Sequence, residues 1–246
     1  MLRTIITVIF VFLFLIVSLP IMLVEKIIAR KDPEKADRSS LKIVQWALKV
    51  VSALAGVQLT VLGEEKVPTD KAVLYAGNHQ SFFDIVVTYA RCPRPTGYIS
   101  KEGVFKVPVL GTWMRMLHCL SINRSNTRDA LKTIQAAISQ VKNGISMTIY
   151  PEGTRNQEPE KGLLPFKEGS FKIAERTGCP IVPMVVIGTE QVFEAHFPWL
   201  KKSKVVLEYG DPVNVKELSK DEKRQLGAKL QEKMQGMADE IRRDYF

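Results

Sequence analysis

The feature that most constrains this chain is an uninterrupted apolar stretch near its start. Residues 5–24 (IITVIFVFLFLIVSLPIMLV) carry no charged side chain. A helix of that length spans about 30 Å, which matches the hydrocarbon thickness of a bilayer. The alternative is the core helix of a soluble protein, but such helices are rarely apolar on every side. The stretch therefore predicts a membrane-inserted helix, and we expect Pro20 to kink or shorten it.

The residues that flank this stretch indicate its orientation. Arg3 precedes it, and Lys26, Arg30 and Lys31 follow it. Because cytoplasmic flanks carry the excess of Lys and Arg, this bias places the rest of the chain on the cytoplasmic side of the cell membrane. Residues 27–30 (IIAR) lack the small-x-small pattern of a cleavage site, so a removed signal peptide is not expected.

A second helix is expected shortly after the first. Residues 31–38 (KDPEKADR) are predicted as a polar connector, and residues 41–54 present a broad apolar face with Trp46, bordered by Lys42 and Lys49. Such a helix suits either the membrane interface or the surface of a folded domain. Residues 1–56 are therefore predicted to anchor the protein to a membrane. The sequence leaves open whether they cross the bilayer or lie in one leaflet as a hairpin.

From residue 57 the pattern changes to alternating strands and helices. This alternation predicts an α/β fold with a mixed, mostly parallel sheet of about seven strands covered by helices, and a domain that spans residues 57–246. The expected strands are Val57–Val61, Ala72–Ala76, Tyr98–Ser100, Cys119–Ile122, Ile145–Tyr150, Ile181–Ile187 and Val205–Tyr209. The expected helices cover residues 82–91, 103–117, 127–142, 168–177 and 219–243.

Charge and cysteine content narrow the class of protein. The net charge of +9 suggests an anionic partner, which could be a phosphate-bearing substrate, an anionic lipid or a nucleic acid; simple solubility is the alternative. Cys92, Cys119 and Cys179 are odd in number and widely spaced, without a CxxC pair or a His-rich cluster. They are expected to be reduced, mostly buried thiols, and no metal site is predicted.

A histidine and a carboxylate lie five residues apart at a predicted strand-to-helix corner. His79 follows the strand, and Asp84 falls in the first helical turn, from which it can reach back to the imidazole. A carboxylate so placed fixes one tautomer and makes the ring a better base. The alternative is purely structural: Ser81-x-x-Asp84 is a capping-box pattern, in which Asp84 serves only the helix N-terminus.

Cationic residues follow several of the predicted strands. Lys101, Arg124 and Arg155 each come just after a strand, and the ends of strands line the ligand crevice in open α/β sheets. If these ends converge, the three cations surround His79 and Asp84 and form a phosphate site. Taken singly, each cation could equally be a solvated surface charge.

Four ordered motifs give the chain a recognisable pattern. It resembles the 1-acyl-sn-glycerol-3-phosphate acyltransferases over roughly residues 57–215. The matching blocks are Asn78–Asp84 (the NHxxxxD block), Ile122–Arg124, Tyr150–Arg155 (similar to FPEGTR, with Tyr150 in place of Phe) and Ile181–Pro183, together with Gly162–Gly169. A single HxxxxD motif is weak evidence, whereas four blocks in order behind a membrane segment are specific.

The resemblance implies an enzyme that acylates the sn-2 hydroxyl of lysophosphatidic acid to give phosphatidic acid. His79 would be the general base, and Asp84 would orient it. The acyl donor would be a thioester of acyl carrier protein or of coenzyme A, attacked directly, so no cysteine or serine nucleophile and no further cofactor are expected. The implied partners are these substrates and membrane phospholipids, and no nucleic acid.

The resemblance also implies a substrate-binding set. Arg124, Glu152, Gly153, Thr154 and Arg155 would form the site for the acceptor phosphate. Lys101 would be a further phosphate contact, and Pro183 would shape the acyl-donor side. Glu152 is expected to position the arginines or the glycerol hydroxyl and not to touch phosphate itself.

Several alternatives stay open at this stage. The acceptor could be glycerol 3-phosphate, another lysophospholipid or an ornithine-type lipid. A metal-dependent phosphohydrolase using His79 and Asp84 as ligands is disfavoured, because no further His/Asp cluster completes a coordination sphere. A lipid-binding scaffold without catalysis is the third hypothesis. Residues 193–204 (FEAHFPWLKKSK) are either a second contact with the membrane interface or an ordinary surface loop.

Overall fold

The protein is described by a computed structural model that covers residues 1–123 and 126–246. In this part of the chain seven strands form one sheet, in the order β1-β7-β6-β2-β5-β3-β4. The strands are β1 (Val57–Leu62), β2 (Leu74–Gly77), β3 (Thr96–Lys101), β4 (Leu120–Ile122), β5 (Ser146–Ile149), β6 (Ile181–Ile187) and β7 (Ser203–Tyr209). The sheet confirms the predicted α/β class.

Strand direction brings the predicted motifs to one edge. Strands β6, β2, β5, β3 and β4 are mutually parallel, whereas β7 runs antiparallel to β6 and β1 is parallel to β7. The sheet is therefore mixed and mostly parallel, as predicted. Because the carboxyl ends of parallel strands meet at the same edge, the segments that follow β2, β5, β3, β4 and β6 all begin there.

Nine α-helices are described in residues 1–123 and 126–246. They are α1 (Leu2–Lys31), α2 (Pro33–Ala55), α3 (Phe83–Tyr89), α4 (Glu102–Phe105), α5 (Leu110–Met116), α6 (Thr127–Lys142), α7 (Lys172–Thr177), α8 (Lys220–Arg224) and α9 (Leu226–Tyr245). Short 3-10 turns cover Glu64–Lys66, Pro159–Lys161, Glu168–Phe171 and Glu194–His196.

Alternate residues of the central strands face two separate apolar layers. In β2, Leu74 and Ala76 pack into the layer formed with α6, α7 and α9, while Tyr75 packs with α2 and α3 on the opposite face. The strand β6 is buried along its whole length, which explains why its sequence is a continuous apolar run. Helices thus cover both faces of the sheet, and the polar motifs are confined to its edge.

Two predicted helix boundaries were wrong for identifiable reasons. The expected helix at 103–117 is two helices, α4 and α5, because Pro108 interrupts it and Val109 adopts a positive φ of 63°. The expected connector at 31–38 shrinks to Asp32, whose carboxylate accepts the backbone N–H of Lys35 at 3.0 Å and caps α2. The chain therefore makes a tight helical hairpin.

Helix α1 is longer than expected and continues through Pro20 to Lys31, so the predicted shortening was wrong. Within the described residues it is the one helix that is long and apolar enough to cross a membrane. Its exposed face carries many large apolar side chains, including Ile5, Ile9, Phe12, Ile16, Leu19 and Leu23. A face of this kind in contact with water is a large apolar patch, which marks a membrane or protein interaction surface.

The other side of α1 is held by polar contacts as well as by packing. The buried carboxylate of Glu25 accepts hydrogen bonds from the hydroxyls of Ser39 and Ser40 on α2, at 2.6 and 3.2 Å. Beyond the hairpin, the Ser18 hydroxyl accepts from Trp113 Nε1 at 3.0 Å, and the Thr4 hydroxyl accepts from the backbone N–H of Leu200 at 2.8 Å. The sheet-containing part therefore contacts α1 near both Thr4 and Ser18.

A glycine in β3 and a glycine in the following helix α4 differ in the space around them. A Cβ added at Gly97 in β3 would lie 2.2 Å from the carbonyl oxygen of His118, whereas one added at Gly103 in α4 would meet nothing within 4 Å. We expect Gly97→Ala to lower the free energy of unfolding by about 1–3 kcal/mol, because the backbone must move apart. Gly103→Ala should be neutral or stabilising by less than about 1 kcal/mol. Chemical denaturation of both variants measures this, and equal effects would contradict the packing argument.

Candidate active site

The corner between β2 and α3 is fastened to the neighbouring strand β6 by Asn78. Its side-chain amide donates to the carbonyl of Val186 at 2.9 Å, and its side-chain oxygen accepts the N–H of Val186 at 2.8 Å. The amide of Gln80 donates to the same carbonyl. The side chain of Asn78 thus imitates a strand backbone and fixes where the chain leaves the sheet. Sequence reasoning gave Asn78 no role, because its partner is more than a hundred residues away.

Asp84 holds the imidazole of His79 from the first turn of α3. Its Oδ2 lies 2.8 Å from His79 Nδ1 and also accepts the backbone N–H groups of Gln80 and Ser81 at 2.8 and 2.9 Å. Its Oδ1 accepts the hydroxyl of Thr189 at 2.5 Å. Because an ionised carboxylate can only accept, the proton of the neutral ring resides on Nδ1 and leaves Nε2 as the basic nitrogen.

Asp84 therefore combines the two interpretations that the sequence left open. Its carboxylate accepts the N–H of Ser81, which is the hydrogen bond that the acidic residue of a capping box makes. The same carboxylate also bonds to the ring of His79, as expected for the residue that orients a catalytic base. The hydroxyl of Ser81 completes the local cap by accepting the N–H of Phe83 at 2.9 Å. Asp84 is fully buried, so these bonds are shielded from water.

The face of the imidazole rests on a tyrosine ring. His79 and Tyr150 stack with centroids 4.2 Å apart and ring planes 16° from parallel. Tyr150 follows β5 and opens the Tyr150–Arg155 motif, so the strand order places it beside the end of β2. With one face on Tyr150 and one nitrogen on Asp84, the ring is fixed, and 15% of its side-chain surface remains exposed.

Glu152 positions the backbone of the histidine. One carboxylate oxygen accepts the N–H of His79 at 2.7 Å, and the other accepts the N–H of Leu164 at 3.1 Å. These two backbone N–H groups are its partners among the described contacts, and its predicted role toward the arginines or the glycerol hydroxyl stays a prediction. Burial raises the pKa of the Glu152 carboxyl, while the two N–H donors act against that shift.

Arg155 lies against the same corner, held by a carboxylate that sequence reasoning missed. Its Nη1 is 3.2 Å from Glu194 Oε1, and its guanidinium carbon lies 4.2 Å from the centroid of the Phe82 ring. Glu194 also accepts the hydroxyl of Ser81 at 2.6 Å and the N–H of Phe82 at 2.9 Å. No local signal marks Glu194, because it follows β6 and reaches the corner only through the fold.

The other residues predicted for the substrate-binding site differ in where they lie and in how exposed they are. Lys101 ends β3 and is exposed; β5 separates β3 from β2, so the two strand ends are about 10 Å apart. Thr154 is exposed in the turn after β5. Gly153 has a φ of +75°, and a Cβ there would lie 2.6 Å from Lys167 Nζ. Arg124 lies outside the described residues.

Pro183 lies inside β6, one residue before Met184, which pairs with Gly77, the last residue of β2. In the sheet register it faces Ala76, and its carbonyl accepts the N–H of Gly210 at 2.9 Å. Four further residues of β6 separate it from the strand end. The structure therefore does not bring Pro183 to the end of β6, where Thr189 contacts Asp84.

In the described residues the hydrogen bonds and ion pairs of the cysteines and of His118 do not involve His79 or Asp84. Burial raises the pKa of the Cys92 thiol to about 12 and that of the Cys119 thiol to about 11, so both are poor nucleophiles at neutral pH. His118 lies 2.8 Å from the carboxylate of Asp37 on α2, a partner that its own sequence neighbourhood does not contain. In the described residues no three His, Cys, Asp or Glu side chains cluster as metal ligands do.

The pKa of Glu152 gives a prediction with a definite sign. A buried carboxyl whose folded pKa is raised above its unfolded value stabilises the protein below the unfolded pKa, and this contribution is lost as pH rises through the folded pKa. We therefore expect the unfolding free energy of the wild type, relative to Glu152→Gln, to fall as pH rises above about 4.5. Denaturant titrations at several pH values measure it. Glu65→Gln, at an exposed position, is the matched control, and its difference in unfolding free energy from the wild type should change less with pH. If the stability of the wild type relative to Glu152→Gln instead rises with pH, the raised pKa of Glu152 is contradicted.

Comparison with known proteins places this geometry in a family. A family model described as Acyltransferase matches residues 58–187, more than half of the chain. The chain is 32% identical over 171 residues to the 1-acyl-sn-glycerol-3-phosphate acyltransferase of Haemophilus influenzae, a match that covers 67% of this chain and 69% of that protein. It is 35% identical over 152 residues to a chloroplastic 1-acyl-sn-glycerol-3-phosphate acyltransferase of Brassica napus, which covers 61% of this chain.

A solved structure agrees over nearly the whole chain. The crystal structure of the 1-acyl-sn-glycerophosphate acyltransferase from Thermotoga maritima superposes with a TM-score of 0.78 and 25% identity, and covers 98% of this chain and 96% of that one. Some relatives are longer: the matches span 42% of the Brassica napus protein and 63% of the Saccharomyces cerevisiae one. With the matched region containing the His79–Asp84 corner and the Tyr150–Arg155 turn, the chain belongs to the acyltransferase family.

Proposed function

We propose that this protein transfers an acyl group from an acyl thioester to the sn-2 hydroxyl of 1-acyl-sn-glycerol 3-phosphate and so forms phosphatidic acid. The observation that carries the proposal is the His79–Asp84 pair, in which the bond at Nδ1 leaves Nε2 as the free basic nitrogen. The reaction class comes from the family, and the acceptor comes from the names of the relatives described above. The alternatives of glycerol 3-phosphate or another lysophospholipid as acceptor are tested by the same assay.

In the proposed reaction His79 acts twice. Its Nε2 removes the proton of the acceptor hydroxyl as the oxygen attacks the thioester carbonyl, and the imidazolium then returns that proton to the departing thiolate. Asp84 stabilises the imidazolium and keeps the ring in its tautomer, and the stacked Tyr150 fixes its plane. General base catalysis of this kind contributes about 10²–10⁴ in rate. No acyl-enzyme forms, in keeping with the raised pKa values of the buried thiols.

The acceptor phosphate is proposed to bind among the cations at the sheet edge. Lys101 ends β3, Arg124 follows β4 in the sequence, and Arg155 lies in the turn after β5 with Gly153 and Thr154. Arg155 is held on Phe82 and Glu194, so it meets the phosphate with little loss of side-chain freedom. Glu152 contributes indirectly by fixing the backbone of His79. The donor is a thioester of acyl carrier protein or of coenzyme A, both of which are anionic.

The proposed location is the cytoplasmic face of the cell membrane, with α1 immersed in one leaflet. A helix that crosses a bilayer leaves the soluble part of the protein at one end. Helix α1 instead contacts the sheet-containing part at Thr4 and at Ser18, fourteen residues further on, or about 21 Å along its axis. A shallow insertion suits both contacts, and it places the site beside lipids whose acyl chains stay in the bilayer.

His79→Ala is expected to abolish acyl transfer while leaving the fold intact. Loss of the base should lower kcat by at least about 10², whereas circular dichroism and the melting temperature should change little. Release of free thiol from the acyl donor, measured with lysophosphatidic acid and separately with glycerol 3-phosphate, gives the rate. His196→Ala is the matched control and should keep the wild-type rate. A near-normal rate for His79→Ala would contradict the proposed mechanism and favour a non-catalytic lipid-binding scaffold.

Arg124→Ala is expected to raise the KM for the acceptor more than it lowers kcat. A charge-assisted bond to phosphate contributes about 1.5–3 kcal/mol, so a rise of roughly 10- to 100-fold is expected. Initial rates over a range of acceptor concentrations separate the two constants. Arg224→Ala, which removes an exposed arginine of α8, controls for net charge. An unchanged KM in Arg124→Ala would remove this residue from the phosphate site.

A further inference from the structure

The segment between β6 and β7 presents aromatic side chains to solvent. Phe197 is 74% exposed and Trp199 is 40% exposed, although both types of residue are normally buried. Lys201 and Lys202 follow after Leu200 and are also exposed. Aromatic rings next to lysines are typical of protein surfaces that meet the headgroup region of a membrane. We call residues 197–202 the docking loop.

The docking loop is held in place by backbone hydrogen bonds. The N–H of Trp199 donates to the carbonyl of His196 at 2.8 Å, and the N–H of Lys201 donates to the carbonyl of Val192 at 3.0 Å. These bonds close the backbone of the segment onto itself, and in this arrangement the two rings are exposed.

The docking loop also touches the helix that carries the apolar face. The N–H of Leu200 donates to the hydroxyl of Thr4 on α1 at 2.8 Å. Leu200 lies between the exposed Trp199 and Lys201, and Thr4 lies next to the exposed Ile5. The exposed rings of the loop and the exposed apolar side chains of α1 are therefore neighbours on the molecule.

We propose that the docking loop and α1 form one membrane-binding surface that fits an anionic bilayer. Phe197 and Trp199 enter the interface beside α1, and Lys201 and Lys202 lie at the level of the lipid phosphates. Two observations favour this partner: the loop is continuous with the apolar face of α1, and its two lysines supply the complementary charge.

The same segment reaches the proposed active site at its other end. Glu194, three residues before Phe197, accepts hydrogen bonds from Ser81 and Phe82 and pairs with Arg155. One short stretch thus joins the bilayer contact to the His79 corner. This consequence depends on the proposed function: contact of the loop with the bilayer sets the height and tilt of the site relative to lipid substrates.

The first experiment tests the contact itself without any assay of catalysis. A polarity-sensitive fluorophore is attached to Phe197→Cys in the full chain, and Leu131→Cys, an exposed leucine on α6, serves as the matched control. Wild-type protein treated with the same reagent gives the background from its own cysteines. Adding vesicles that contain a phosphatidylglycerol-type anionic lipid should shift the emission of the label at position 197 to the blue and leave that at 131 unchanged. Equal behaviour of the two labels would overturn the proposal.

The second experiment tests the charge of the surface. Full-length protein is equilibrated between zwitterionic and anionic vesicles, and the ratio of bound protein is measured. Each lysine near an anionic surface contributes about 1 kcal/mol, so Lys201→Ala with Lys202→Ala should reduce the preference for anionic vesicles by about fivefold per lysine. Lys142→Ala with Lys220→Ala removes the same charge from exposed positions elsewhere. If both double variants lose the same preference for anionic vesicles, the preference comes from the net charge of the protein and not from the docking loop.

The third experiment tests the link to catalysis. Phe197→Ala with Trp199→Ala should lower kcat/KM about tenfold for a long-chain lysophosphatidic acid presented in vesicles, and leave it unchanged for a short-chain, water-soluble analogue. An equal loss on both substrates would overturn the link. If the wild type itself shows no acyl transfer, the proposed function fails, while the fluorescence result still decides whether the loop contacts the bilayer.

Discussion

The buried carboxylate of Asp84 is the interaction on which the rest of the site depends. It accepts hydrogen bonds from the ring of His79, from two backbone N–H groups of the corner and from the hydroxyl of Thr189 after β6. One group thereby shapes the turn, begins α3, orients the base and joins two neighbouring strands. Removing it would leave several buried donors unpaired at once, each at a cost of about 1–3 kcal/mol. The same hydrogen bonds therefore orient His79 and determine the local fold of the corner.

A second carboxylate organises the outer side of the corner. Glu194 binds the hydroxyl of Ser81, the N–H of Phe82 and the guanidinium of Arg155, so it ties the segment after β6 to the turn after β5. The sequence suggested three cations around the corner, with Glu152 to position the arginines or the glycerol hydroxyl. In the structure Arg155 pairs with Glu194 and lies over the ring of Phe82, and these two contacts hold its guanidinium at the corner.

Periodicity and motif order were sufficient to predict the strands and a mixed, mostly parallel sheet, but not the order of the strands or the long-range contacts. The alternating runs marked all seven strands, and the parallel direction of five of them explains why motifs far apart in sequence meet. The partners of Asn78, Glu152 and Arg155 were not predictable, because each contact joins segments tens of residues apart. The break before α5 was missed because Val109, which is β-branched, adopts a positive φ that no propensity favours. The role predicted for Pro183 on the acyl-donor side stays a prediction, because the structure shows only that Pro183 lies within β6 and pairs with Ala76, two residues before the corner begins.

The position of β1 has a consequence for how the protein is made. This first strand pairs only with β7, whose residues are nearly 150 positions later in the chain, while the next strands along the sheet are β6, β2, β5, β3 and β4. During synthesis the two N-terminal helices and β1 emerge from the ribosome long before β7 does. The inner strands can associate first, but the edge next to the two N-terminal helices stays open until β7 has been made. Such non-local pairing slows folding, so the sheet is completed only after β7 has been made.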